Sequence, residues 1–368
     1  MSKRISMAAA CLLFGLSLHA QWQKSPADTL QSVRVLEDGN VVFSIYAPKA
    51  ETVGIAGDIV PWGKRLNPVR NAAGVWSITV PDVAPGIYRY HFVVDGVQVY
   101  DPGSDVTTQN PALAVVAPEG DEFFVCGKDV PRGAVAVRSY YSEVTGDMRT
   151  MRVWTPAGYE KSSPKLPVLY LVHGGGDTDT SWPTVGAAGE ILDRLYAEGK
   201  MEPMIVVMPN GTIRTEDMQD EVPIFADDMT RSIIPFVESN YNVYTDKDHR
   251  AMAGLSMGGM ETLETALKNI GMFSYVYVLS SSFAPGKDPA AEAARLRVPE
   301  NVDLINSSFR QFVFTQGGPS DIAYGNGLNT RNELERLGVK FEYSEVDGGH
   351  SWTAWRKNLY DLAIRVFK

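Results

Sequence analysis

The stretch His249-Arg250-Ala251-Met252-Ala253-Gly254-Leu255-Ser256-Met257-Gly258-Gly259-Met260 decides the fold of this chain. Its apolar beginning predicts a buried strand that ends in Gly-x-Ser-x-Gly. Helical spacing follows at once, at Met260, Leu263 and Leu267. Strand, sharp turn and helix form the setting of a nucleophile elbow. Ser256 is therefore the candidate nucleophile, and the backbone N–H of Met257 is a candidate donor to an oxyanion.

The beginning of the chain resembles a secretory signal. Residues 1–20 carry Lys3 and Arg4, then a short apolar region, and cleavage is expected near Ala20. The signal predicts a secreted or periplasmic protein, and no later apolar run is long enough to suggest a membrane span. Cys126 would be the single cysteine left after cleavage, so no intrachain disulfide is expected.

Charge and histidine content exclude several classes of function. The 368 residues carry a formal net charge of −10 without a basic stripe, which argues against a nucleic-acid partner. No His-x-x-x-His or Cys-x-x-Cys spacing occurs, so neither a metal site nor a cofactor is predicted. A mechanism that needs histidine has four candidates outside the signal, namely His91, His173, His249 and His350.

The length suits one large and one small domain. Between the signal and residue 127 the chain consists of short strands separated by turn signals, predicted at 41–46, 52–56, 75–80, 86–94 and 97–100. Asp95-Gly96 is a tight hairpin turn. Residues 21–127 are therefore predicted to form a small all-β, immunoglobulin-like sandwich. Residues 128–135 are predicted to be a linker.

From residue 136 to 368 predicted strands alternate with predicted helices. The strands are expected at 135–141, 149–155, 167–173, 204–208, 251–253, 275–279, 311–315 and 340–345. The helices are expected at 188–198, 228–240, after Ser256, at 327–337 and from Trp352. This alternation predicts an α/β domain with a doubly wound, mainly parallel sheet of the α/β-hydrolase kind.

Residues suited to catalysis follow three of the predicted strands, where open α/β sheets gather reactive groups. His173-Gly174-Gly175-Gly176 could supply the second oxyanion donor, from Gly175 or from either neighbouring glycine. His350 lies in a loop between a strand and a helix, a suitable position for a general base.

The candidate acid is Asp321, which follows a predicted strand and precedes His350 by 29 residues. The chain order is then Ser, Asp, His, as in α/β-hydrolases. Asp347 and Glu345 lie too near His350 in sequence to orient its imidazole easily. Asp303 precedes its strand, at the wrong end of the sheet.

Two parts of the chain resemble known families. The large domain resembles the esterase D-like enzymes of carbohydrate esterase family 1, which include feruloyl and acetylxylan esterases, through PVLYLVHGGG (167–176), IIPFVESNYNVYTDKDHRAMAGLSMGG (233–259) and GGHSWTAWR (348–356). That family has Gly-Thr-x-Asp where this chain has Gly-Pro-Ser-Asp (318–321). The β domain is similar to early-set domains related to family 48 carbohydrate-binding modules, through FSIYAPKAETVGIAGD (43–58) and GIYRYHFVVDG (86–96).

The resemblance implies a serine esterase that acts on hydroxycinnamate (ferulate) esters of plant arabinoxylan, with feruloylated or acetylated xylan and its oligosaccharides as partners. Trp182 and Trp352 are candidate walls of an acyl pocket. Trp62 and Trp76 are candidates for stacking on sugar. Packing is the competing role for each of the four.

Other functions stay open at this point. An acetylxylan esterase would need a small acyl pocket, and a siderophore (enterochelin-type) esterase would need a basic site that the motifs here lack. A mycolyl-type acyltransferase shares the fold, although no residue favours it. A sugar-binding protein without activity conflicts with the intact Ser, His and glycine motifs.

Overall fold

The computed structural model describes residues 26–61, 63–101, 103–104, 112–160, 163–213, 215 and 218–368. The predicted signal and Trp62 lie outside these residues. None of the helices in this described part of the chain is long and apolar enough to cross a membrane.

The first domain consists of two antiparallel sheets. Its strands are β1 (Val33–Val35), β2 (Val41–Tyr46), β3 (Val53–Gly57), β4 (Val69–Arg70), β5 (Val75–Val80), β6 (Gly86–Val94), β7 (Val97–Val99) and β8 (Ala112–Val116). One sheet has the order β1-β2-β5-β4, and the other has β3-β6-β7 with β8 also paired to β6. Alternate apolar residues such as Phe43 of β2 and Phe92 of β6 fill the space between the sheets.

The second domain contains an eight-stranded sheet. Its strands are β9 (Ala134–Tyr141), β10 (Met148–Thr155), β11 (Val168–Val172), β12 (Ile205–Pro209), β13 (Arg250–Leu255), β14 (Tyr275–Leu279), β15 (Gln311–Gln316) and β16 (Glu342–Glu345). The order across the sheet is β16-β15-β14-β13-β11-β12-β10-β9. Strands β11 to β16 pair in parallel, whereas β9 and β10 are antiparallel at one edge.

Helices cover both faces of this sheet. They are α1 (Ala188–Ala197), α2 (Met218–Asp228), α3 (Ile234–Asn240), α4 (Met257–Lys268), α5 (Pro289–Arg295), α6 (Val298–Ser308), α7 (Tyr324–Leu337) and α8 (Trp352–Ala363). Strand β11 is buried on both sides: Tyr170 packs into the cluster with α2 to α7, and Leu171 packs into the cluster with α1 and α8. The predicted fold, a doubly wound α/β-hydrolase sheet preceded by an all-β sandwich, is confirmed.

The helical region between β12 and β13 differs from its prediction. Instead of one helix over 228–240, α2 ends at Asp228, a π-helical turn spans Met229–Ile233, and α3 follows. Asp228 is fully buried and accepts hydrogen bonds from Tyr140 (2.8 Å) and Ser142 (2.5 Å), which join this junction to β9. The helices α5 and α6 were not predicted.

Candidate active site

Ser256 lies at a sharp turn between β13 and α4. Its backbone is strained, with φ 51° and ψ −118°. The neighbouring glycines are required by close packing, because a Cβ on Gly254 would lie 2.0 Å from the Gly258 carbonyl oxygen and one on Gly258 would lie 2.3 Å from the His173 carbonyl oxygen. The strained serine between close-packed glycines is the geometry of a nucleophile elbow.

A turn at residues 174–177, which we call the glycine turn, lies beside the elbow. It is closed by a hydrogen bond from the Asp177 N–H to the Gly174 carbonyl (3.2 Å), and Gly176 adopts φ +77°. A Cβ on Gly175 would lie 3.9 Å from the Met257 side chain, so Gly175 and Met257 are neighbours. Met257 begins α4, where backbone N–H groups have no acceptor within the helix. The two predicted oxyanion donors are therefore adjacent.

The His173 side chain is hydrogen-bonded to the glycine turn and to Gly211. Its Nδ1 lies 2.8 Å from the Gly174 carbonyl oxygen, and its Nε2 accepts a hydrogen bond from the Gly211 N–H (2.9 Å). Burial lowers the pKa of His173, which favours the neutral ring that this pattern of one donor and one acceptor requires. In the sequence, His173 was one of four candidate histidines and had no predicted role of its own in the glycine motif. Its position directly before three glycines was the signal for a positioning role.

His350 links the elbow to a carboxylate. Its Nε2 lies 3.0 Å from Ser256 Oγ, and its Nδ1 lies 2.7 Å from Asp321 Oδ1. The loops that carry His350 and Asp321 cross in close contact, since a Cβ on Gly317 would lie 2.1 Å from the Gly349 carbonyl oxygen. The structure thus brings together three residues that are far apart in sequence.

Asp321 is buried and strongly hydrogen-bonded. Its side chain accepts the backbone N–H groups of Gly317 (3.0 Å) and Ala323 (2.8 Å) as well as facing His350. Burial raises the pKa of this carboxyl, but the hydrogen bonds from His350 and the two N–H groups outweigh it and lower the pKa to about 2. Asp321 is therefore a carboxylate throughout the neutral range.

The other candidate histidines and acids make contacts elsewhere in the structure and are not part of the Ser256–His350–Asp321 series. His249 is half-buried, pairs with Asp246 (2.8 Å) and stacks on Tyr244. Glu345 accepts a hydrogen bond from the Tyr324 hydroxyl (3.0 Å). His91 is part of β6 in the first domain.

The predicted pocket tryptophans are packing residues. Trp182 is 1% exposed and Trp352 is 4% exposed, and their rings meet edge to face. The Trp182 N–H donates to the Val172 carbonyl (3.1 Å). Because so little of either indole reaches the surface, the expectation that they wall an acyl pocket is corrected to a role in the apolar cluster that contains α1 and α8.

Trp76, predicted to stack on sugar, is partly buried against the core of the sandwich. Its N–H donates to the Ala47 carbonyl (2.9 Å), and Arg70 lies over its ring. Packing therefore accounts for much of its surface. Trp62 lies outside the described residues.

Comparison with known families assigns the two domains. Residues 142–366 match a family model described as "Putative esterase". The chain belongs to this esterase family. Residues 30–111 match carbohydrate-binding module 48, the isoamylase N-terminal domain. The predicted family and the family of the β domain are thus confirmed.

One relative of this esterase is named for two activities, xylanase and feruloyl esterase. An endo-1,4-beta-xylanase/feruloyl esterase from Xylanibacter ruminicola is 33% identical over 356 residues, which cover 91% of this chain and 46% of that relative. The chain thus spans about half of that protein's length.

Solved structures of similar fold include two esterases. A feruloyl esterase module from Clostridium thermocellum has a TM-score of 0.58 at 24% identity, over 67% of this chain and 92% of that one. The enterobactin esterase of Shigella flexneri has a TM-score of 0.65 at 18% identity, over 89% and 92% of the two chains. At these identities the likeness is one of fold.

Proposed function

We propose that this esterase is a secreted serine hydrolase that cleaves hydroxycinnamate (ferulate) esters on plant arabinoxylan. The observation that carries the proposal is the hydrogen-bonded series Ser256–His350–Asp321, which starts at a strained nucleophile elbow. Nucleophile and base lie within hydrogen-bond distance, and the base is oriented by a third group, as covalent catalysis at a serine requires.

The mechanism follows from the roles of these groups. His350 Nε2 removes the Ser256 proton as Oγ attacks the ester carbonyl, and the N–H groups of Met257 and Gly175 stabilise the oxyanion. His350 then gives the proton to the leaving alcohol, and an acyl-enzyme results. Water deprotonated by His350 attacks the acyl group, which releases the acid and restores Ser256. Asp321 keeps the Nδ1 proton in place and stabilises the imidazolium.

The choice of substrate is supported by the relatives and the first domain. The Xylanibacter ruminicola relative, which matches 91% of this chain, carries the name xylanase/feruloyl esterase. A domain of the carbohydrate-binding module 48 family suits an enzyme whose ester is attached to a polysaccharide. The acetylxylan esterase alternative differs only in the acyl group released.

One assay separates these substrates. Purified wild type and Ser256→Ala are incubated with methyl ferulate, feruloylated arabinoxylan and acetylated xylan, and the released ferulate and acetate are measured. We expect Ser256-dependent release of ferulate to exceed that of acetate. Release of acetate alone would replace the ferulate assignment, and full activity in Ser256→Ala would refute the serine mechanism.

A further inference from the structure

Strand β6 of the first domain reaches the glycine turn of the esterase domain through Arg89. The guanidinium binds Asp58 of its own domain through Nε (2.8 Å) and Nη2 (3.2 Å). Its Nη1 lies 2.6 Å from Asp177 Oδ1 in the esterase domain. Arg89 is 27% exposed and Asp177 is 8% exposed, so this ion pair is largely shielded from solvent. One arginine thus joins a carboxylate from each domain.

Asp177 is the last residue of the glycine turn, and its N–H, its carbonyl and its carboxylate each have a partner. Its N–H closes the turn onto the Gly174 carbonyl (3.2 Å), its carbonyl accepts a hydrogen bond from Thr212 Oγ1 (3.3 Å), and its carboxylate binds Arg89. Gly175 lies inside the turn that these bonds close. A shift of Asp177 would therefore move the Gly175 N–H relative to Met257.

A second contact from β6 reaches the other half of the site. Arg356 lies on α8, six residues after His350, and is buried. Its Nη1 donates to the Ile87 carbonyl of β6 (3.3 Å) and to the Val185 carbonyl (2.8 Å). Ile87 also belongs to the apolar cluster that contains α1 and α8. The same strand therefore touches the glycine turn and the helix that follows the base.

We propose that Arg89 is a positioning residue for the oxyanion donors, so that the first domain completes the esterase active site. This inference rests on the proposed function. Arg89 fixes the end of the glycine turn, and it gives the Asp177 carboxylate a cationic partner that Asp177 shares with Asp58. Without it, the largely buried Asp177 carboxylate would remain without a cationic partner at the end of the turn that contains Gly175, and its charge would oppose the developing negative charge of the oxyanion.

The test uses the full chain with Arg89→Gln, Arg89→Lys, Asp177→Asn and the double variant Arg89→Gln/Asp177→Asn. Activity is measured as kcat and KM for p-nitrophenyl acetate, which makes the result independent of the natural acyl group. The inhibition constant of phenylboronic acid is measured as well, because its serine adduct is tetrahedral and anionic. The control is Arg132→Gln, which removes an ion pair to Glu190 on α1 (2.6 Å).

We expect Arg89→Gln to lower kcat about tenfold, since small displacements of catalytic groups have effects of this order or larger. KM should change less than twofold, and boronate affinity should fall in parallel with kcat. The double variant should recover part of the loss because the unpaired charge is gone, and Arg89→Lys should also recover part. Arg132→Gln should match wild type.

Two outcomes would overturn the inference, and they differ from failure of the proposed function. If Arg89→Gln keeps the wild-type kcat and boronate affinity while Ser256→Ala is inactive, the esterase mechanism stands and the positioning role is refuted. If Arg89→Gln lowers kcat with unchanged boronate affinity, the oxyanion donors are not its target. Should Arg89→Gln fail to fold, the same comparison is made with Asp177→Asn and Arg89→Lys. Loss of the serine mechanism itself would appear as equal activity of wild type and Ser256→Ala.

Discussion

Substitution of Asp321 by Asn tests how the acid works. The carboxylate accepts from His350 Nδ1 at 2.7 Å, so the proton of the neutral ring lies on Nδ1 and Nε2 is free to accept the Ser256 proton. The two backbone N–H groups of Gly317 and Ala323 already occupy the carboxyl oxygens. An Asn whose oxygen keeps the bond from the Gly317 N–H at the Oδ2 position places its NH₂ at the Oδ1 position, where it faces His350 Nδ1. The ring would then carry its proton on Nε2, where it cannot act as a base.

The expected loss of kcat is about 10⁴-fold, the order that follows when a triad histidine is held in the wrong tautomer. The pKa of Asp321 near 2 also gives a stability effect. Relative to an ordinary aspartate, the ionised form is favoured by about 2 kcal/mol in the folded protein. This stability is present above pH 4 and is lost as the pH falls towards 2, so Asp321→Asn should unfold at lower denaturant concentration at neutral pH.

The assay measures kcat for p-nitrophenyl acetate and urea unfolding at pH 7 and pH 3. Glu345→Gln is the matched control, because Glu345 is an acid near His350 in sequence that instead accepts from Tyr324. Asp321→Asn should lose kcat about 10⁴-fold, and its deficit in stability should shrink at pH 3. The reasoning is refuted if Asp321→Asn retains a tenth of the wild-type kcat, or if Glu345→Gln loses as much.

Two further predictions concern the packing around the site. Glu261 on α4 is fully buried, and burial followed by repulsion from Glu221 raises its pKa well above the ordinary value. Unfolding then releases a proton once the pH exceeds the ordinary pKa of about 4.5, so stability falls as the pH rises above that value, and Glu261→Gln should flatten this fall in urea unfolding. An equal pH slope in both proteins would contradict this. Gly317→Ala places a Cβ 2.1 Å from the Gly349 carbonyl oxygen, so kcat should fall at least about 100-fold, whereas Gly325→Ala, whose Cβ would have nothing within 4 Å, should keep activity.

Local sequence predicted much of the fold because its signals were strong. Strands β2, β5 and β6 have the predicted bounds, since alternating apolar residues and turn residues such as Asp95-Gly96 mark them. The elbow was predictable because Gly-x-Ser-x-Gly lies between an apolar run and a helical pattern in one short stretch, although the close packing that requires Gly258 comes from the distant His173 carbonyl. Helices α5 and α6 escaped prediction. The residues of α5 are mostly small or charged, so it lacks the apolar spacing that identifies a helix. Helix α6 does carry that spacing, at Val298, Val302 and Ile305, and this signal was overlooked in the sequence.

Local sequence patterns could not predict contacts between segments that are far apart in the chain. Arg89 and Asp177 are 88 residues apart and lie in different domains, and no spacing rule relates them. The burial of Trp182 and Trp352 depends on how α8 packs against α1, which their position near the catalytic motifs did not reveal. His173 is an intermediate case, because its sequence position suggested a role that only its hydrogen bonds define.

The site of covalent modification tests most directly whether Ser256 is the activated nucleophile. A fluorophosphonate probe reacts with activated serine nucleophiles, and the intact mass and the labelled peptide can both be measured. We expect a single adduct per chain, located on Ser256, with no adduct on Ser256→Ala and about 10⁴-fold slower labelling of Asp321→Asn. An adduct that persists in Ser256→Ala, or one that maps to another residue, would contradict this expectation.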